Sequence, residues 1–99
     1  MRLVYNWDVI ESFRHKGLEE LFRTGQTRRI GVEYVRKCVR ILQLLDVAGA
    51  AEDLNVAGLR LHALQGTSRR WSVRASANYR ITFAWRKENA IDVDFEDYH

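Results

Sequence analysis

Few residues in this chain can do acid–base or phosphate chemistry, and their types narrow the choice. Histidine titrates near neutrality, and there are three. His15 sits beside Lys16 and reads as a structural or surface residue. His62 lies among basic residues, and His99 closes the chain directly after Asp97 and Tyr98. Around them stand arginines, which grip phosphate in a forked, permanently charged geometry. RNA supplies its own nucleophile, the 2′-hydroxyl. A protein that cleaves it must remove that proton, stabilise charge on the phosphate and protonate the leaving oxygen. Histidine can do the first or the last, and arginine the second, with no metal required. The competing chemistries lack their signatures. Cys38 falls on an apolar helical stripe, Ser12 has no elbow motif around it, and no Gly-rich phosphate loop is present. A metal held by His62, Asp97 and His99 has no recognisable ligand spacing behind it.

Two kinds of element must position these groups. Val9 to His15 reads as a short strand and Lys16 to Thr24 as a short helix, stopped by Gly25. Arg29 to Val47 carries Val35, Cys38, Val39, Leu42 and Leu45 at helical spacing, a single buried stripe. Ala48 to Ala57 reads as a loop or short turn. The period then changes from 3.6 to 2, with strands over Leu59–Leu64, Trp71–Ser76, Tyr79–Arg86 and Ala90–Glu96. Helices followed by an antiparallel run predict an α+β domain. The helices are expected to cover the face of Trp71, Val73, Ile81, Phe83, Ile91, Val93 and Phe95. The other face, expected to be wet, carries Arg60, His62, Ser72, Arg74, Arg80, Thr82 and Arg86. Such an open cationic surface suits a phosphodiester better than a small-molecule pocket would.

The charge distribution points the same way. The net charge is +3, but Leu54 to Lys87 holds seven basic residues and no acid. Glu88 to His99 then holds five acids and no Lys or Arg. The plain explanation is cross-strand pairing on a solvated surface. The functional one is a polyanion-binding face bordered by carboxylates. At 99 residues, 46% hydrophobic and without proline, the chain fits one globular domain rather than a disordered or fibrous chain. One cysteine excludes an internal disulfide framework and suits a reducing, cytoplasmic setting. No apolar run reaches the roughly 20 residues of a membrane span, and no signal peptide is expected from Met1 to Asp8.

Four segments carry a family resemblance: SFRHKGLEELFRTG (Ser12–Gly25), LNVAGLRLHALQG (Leu54–Gly66), WSVRASANYRITF (Trp71–Phe83) and DVDFEDYH (Asp92–His99). In this order the chain resembles the HigB-type toxins of the RelE superfamily, from about Val9 to His99. Residues 1–8 look like an N-terminal extension of a single 1–99 domain. The resemblance implies a RelE-like fold, a small and mainly antiparallel sheet with two N-terminal helices on one face. It implies cofactor-free, metal-independent, ribosome-dependent cleavage of mRNA. It also implies neutralisation by a helix-turn-helix antitoxin of the HigA type, through which alone operator DNA would be bound, and no membrane.

By the same resemblance the catalytic set falls on His62, Arg80, Asp97, Tyr98 and His99, with acid and base unassigned. Arg60, Arg69, Arg70, Arg74 and Arg86 are the expected RNA-binding cations. Ala63 and Gln65 stand where the family has Pro and Lys, and Tyr79 where it has Trp. The missing Lys leaves Arg69, Arg70 or Arg74 to supply its charge. The alternative is a catalytically weak member that binds its antitoxin and co-represses the operon.

Overall fold

The computed structural model describes residues 9–66 and 69–98; the 1–8 extension and His99 lie outside them. Helix α1 spans Lys16–Thr24 and α2 spans Val32–Asp46, followed by a 3₁₀ turn at Ala51–Leu54. Four strands then run as an antiparallel meander in the order β1-β2-β3-β4: β1 His62–Ala63, β2 Arg70–Arg74, β3 Tyr79–Arg86 and β4 Asn89–Asp97. The α+β architecture is thus the one expected. No helix among the described residues is long and apolar enough to cross a membrane.

The ends of α1 follow from its caps. The His15 imidazole accepts from the Leu18 N–H through Nδ1 at 3.1 Å, satisfying one of the free donors of the first turn. Gly25 closes the helix in the left-handed region at φ 85°, a conformation glycine adopts at no steric cost. In α2 the buried stripe is Cys38, Ile41, Leu42 and Leu45. These residues meet Val73, Ile81, Phe83 and Val93 in one continuous core, together with Leu18 and Leu21 of α1.

Four sequence expectations need correction. Residues 9–15 do not form a regular strand; they make two isolated parallel bridges to β4, Ile10 to Ala90 and Phe13 to Val93. Between these two bridges lies a bulge in β4, where its ladder with β3 is interrupted and one extra residue separates the pairs Thr82–Asp94 and Ala84–Ile91. Asp92 turns left-handed there (φ 52°), and its N–H donates to the Ser12 hydroxyl at 2.9 Å. The same bulge moves Ile91 off the helix side, because it pairs with Ala84 instead of following the alternation of Val93 and Phe95. The expected strand over Leu59–Leu64 shrinks to two residues, since Arg60 takes a left-handed conformation (φ 52°) and breaks the pleat. Finally, the polar face is dry at its centre: Ser72 and Thr82 are 0% exposed and Arg70 is 5% exposed.

Candidate nucleic-acid-cleaving site

Strand register determines who meets whom. His62 pairs with Ser72, Ser72 with Thr82, and Thr82 with Asp94, so these four share one row across the polar face. The next row is Arg74, Arg80 and Glu96. Where β1 gives way to the left-handed Arg60, an open groove of about 410 Å³ forms, lined by Arg60, His62, Arg74, Ala77 and Tyr98. A larger hollow on the outer side of α2, about 540 Å³ and lined by Arg36, Lys37 and Arg40 among others, contains no histidine.

His62 is exposed in the groove. Its Nδ1 lies 3.1 Å from the Arg60 carbonyl oxygen. A carbonyl can only accept, so this contact selects the tautomer with hydrogen on Nδ1 and leaves Nε2 free to take a proton. Arg74 stands opposite Arg80, and its Nε donates to the Ser76 carbonyl at 3.3 Å. Tyr98 is held rather than frayed: its N–H donates to the Asn78 carbonyl at 2.8 Å, and the Arg80 guanidinium lies 5.5 Å from its ring centroid. Behind it, Phe95 stacks on Tyr79 with ring centroids 4.7 Å apart, which fixes the end of β4.

The closing Asp97–Tyr98–His99 run is divided. Asp97 pairs with Tyr79 and so shares the helix-side face, not the face of Arg80 and Glu96. Its charge is felt there by Tyr34, whose phenol is pushed up first by burial and further by Glu33, Tyr79 and Asp97. Asp97 has a partner of its own. The placement of His99 lies outside the described residues.

The expected RNA-binding arginines also separate. Arg60 and Arg74 line the groove. Arg69 is exposed just before β2, in a left-handed conformation (φ 49°). Arg86 is at the far end of β3 and pairs with Glu11 at 2.8 Å. Arg70 lies beneath the surface, where one guanidinium nitrogen donates to the Thr82 hydroxyl at 2.8 Å and the Asp92 carbonyl at 2.7 Å. Burial pushes its pKa down, with Arg14 adding to the effect and Glu96, Asp94 and Asp92 opposing it. Its role in the structure is to tie β2 to the bulge in β4.

Sequence reasoning did not single out Glu96. It pairs opposite Arg80, accepts from the Arg80 guanidinium at 3.4 Å and takes the Thr82 hydroxyl on its other oxygen. Alternation in β4 groups Glu96 with the polar residues of that strand, but its place beside Arg80 depends on the bulge, because a register counted from the Arg86–Asn89 hairpin without it would put Phe95 there. Among the described residues, no group of three His, Cys, Asp or Glu side chains could hold a metal ion.

Comparison with known proteins identifies the family of the chain. The family model described as "RelE-like toxin of type II toxin-antitoxin system HigB" matches residues 11–99. A protein of Proteus vulgaris named Endoribonuclease HigB is 38% identical over 92 residues, covering 92% of this chain and 100% of that relative.

Proposed function

Because the chain belongs to the RelE-like HigB toxins of type II toxin–antitoxin systems, we propose that it is an endoribonuclease that cuts mRNA on the ribosome without a metal, using the groove around His62. The observation that carries this reading is the groove itself. One imidazole with a free Nε2, the guanidiniums of Arg60 and Arg74 and an exposed phenol face the same open space, and Arg80 lies against that phenol. His62 moves a proton, as base on the 2′-hydroxyl or as acid on the leaving 5′-oxygen. Arg74 and Arg80 stabilise the negative charge that grows on the phosphate. Tyr98 offers a ring on which a base can stack. Asp97 and His99 remain proton-transfer candidates through the family resemblance, although Asp97 stands on the helix-side face of the sheet.

Membership of a type II toxin family implies an antitoxin partner; our reading is that this antitoxin is of the HigA helix-turn-helix type and that operator DNA is bound only through it. The whole chain acts as one toxin domain in the cytoplasm. The test is induction in bacteria, with growth followed and mRNA 5′ ends mapped by primer extension. New ends and arrest with the wild type, and neither with His62→Ala, are expected. A wild type that arrests nothing and makes no new ends refutes the reading.

A second reading has one observation in its favour, Gln65 in place of the family's lysine. It is a weak or inactive member that binds its antitoxin and co-represses the operon. Replacing His62 and His99 separately by Ala separates the two: unchanged growth and unchanged antitoxin binding in both variants support the co-repressor.

A further inference from the structure

A line of hydrogen bonds runs under the polar face from the β4 bulge to the groove. The Asp92 carbonyl at the bulge accepts from Arg70, and the same Arg70 nitrogen donates to the Thr82 hydroxyl. That hydroxyl donates to one carboxylate oxygen of Glu96. The other oxygen accepts from Arg80, whose guanidinium lies against Tyr98 in turn. We infer that Glu96 is a positioning residue for the RNA-cleaving groove: anchored on Thr82, it holds the Arg80 guanidinium beneath Tyr98. This inference rests on the groove being the reaction site, as proposed above.

Glu96 differs from an ordinary surface partner in where its two oxygens go. Thr82 is fully buried, so its side of the carboxylate cannot be replaced by water without rearranging the sheet. Arg80 has the weaker grip on its surroundings. Its Nε is buried and without a hydrogen-bond partner among the described residues, and the Glu96 contact is an ion pair that fixes its head. Directly opposite Arg80 stands Arg74, a like charge that would push it away. Glu96 answers that repulsion, and it also subtracts one positive charge from the surface that RNA meets.

The two consequences have opposite signs, which makes the role testable. In Glu96→Gln the charge is lost and the shape kept. RNA should bind more tightly, by about two- to fivefold, as expected for one partly exposed charge. Cleavage should become slower, by about tenfold, less than the 10²–10³ that loss of a charge donor itself costs. Thr82→Val keeps the Glu96 charge but removes its anchor, so cleavage should fall with no gain in binding. A residue that merely stabilised the sheet would not give this split.

The experiment uses the full chain with three readouts. These are affinity for an RNA carrying 2′-deoxy substitution at the cleavage position, single-turnover cleavage of the unmodified RNA, and rotation of the Arg80 guanidinium by side-chain nitrogen NMR. Tighter binding, faster Arg80 rotation and slower cleavage in Glu96→Gln support the inference. Unchanged Arg80 rotation in both variants overturns it, whatever happens to cleavage. If Glu96→Gln does not fold, Thr82→Val decides by the same rotation measurement. If the wild type cleaves no RNA yet Arg80 is loosened in the variants, positioning stands and the assignment of the reaction falls.

Discussion

The two faces of this sheet solve different problems with the same alternation. On the helix side, Val73, Ile81, Phe83 and Val93 are 0% exposed and pack on α1 and α2. On the other side the centre is equally dry but polar, with Arg70, Thr82 and Ser72 buried and only the end near Arg60 opening into a groove. Stability is therefore not confined to the apolar face, nor is every arginine of the polar face available to RNA. Burial separates the arginines: Arg70 belongs to the architecture, and Arg74 to the groove.

Substitutions on either side sharpen that contrast. Phe83→Ala should cost about 3–5 kcal/mol in chemical denaturation, the usual loss for a large aromatic in a closed core. His62→Ala should stay within about 0.5 kcal/mol of the wild type, as exposed positions do. It should nevertheless lower RNA cleavage by about 10²–10⁴, the contribution of a general acid–base group. If His62→Ala unfolds the protein, the division between the faces is wrong at its most exposed point.

Within the polar face the contrast is between neighbours in β2. Arg70→Met should destabilise by about 1.5–3 kcal/mol, because it strips a charged donor from the Thr82 hydroxyl and the Asp92 carbonyl. Arg74→Ala should leave the denaturation midpoint nearly unmoved and weaken RNA binding, with a shallower dependence of affinity on salt. Equal effects from the two on both measurements would erase the distinction. A smaller loss, about 1 kcal/mol, is expected for Ser12→Ala, whose hydroxyl receives the bulge N–H.

Much of this was legible in the sequence. The bounds of α1 follow from the Leu18, Leu21 and Phe22 spacing and Gly25, and β3 from the alternation of Tyr79 to Arg86. Alternation also put His62, Arg74 and Arg80 on one face. What escaped was governed by backbone conformation rather than side-chain pattern. Arg60 and Asp92 take left-handed conformations without being glycine, so no residue type announced the broken first strand or the bulge that turns Ile91 over. The DYH run looked like one catalytic unit because its members are consecutive. In an extended strand consecutive residues face opposite ways, and that separates Asp97 from Tyr98. Burial of Arg70 was equally hidden, since a basic residue on a polar strand face normally reaches water.

The mildest test concerns the junction that orients both faces, the His15 cap of α1. The imidazole ring meets Phe95 edge-on at 5.7 Å while Nδ1 accepts from Leu18, so the cap joins the helix to β4. Burial lowers the His15 pKa below 6.5, Asp94 opposes the shift and Arg29 adds to it. Protonating Nδ1 destroys the acceptor that the cap requires. The unfolded chain therefore binds this proton more readily than the folded one, and acid favours unfolding. The stabilisation is complete above pH 6.5 and is lost as pH falls from there through the folded-state value. Urea midpoints measured from pH 7.5 down to pH 5 should decline for the wild type over that window. His15→Asn keeps a capping acceptor that does not titrate, so its curve should be flatter over the same window. Parallel curves for the two proteins would mean that the cap does not couple α1 to the proton, and that the decline belongs to other groups.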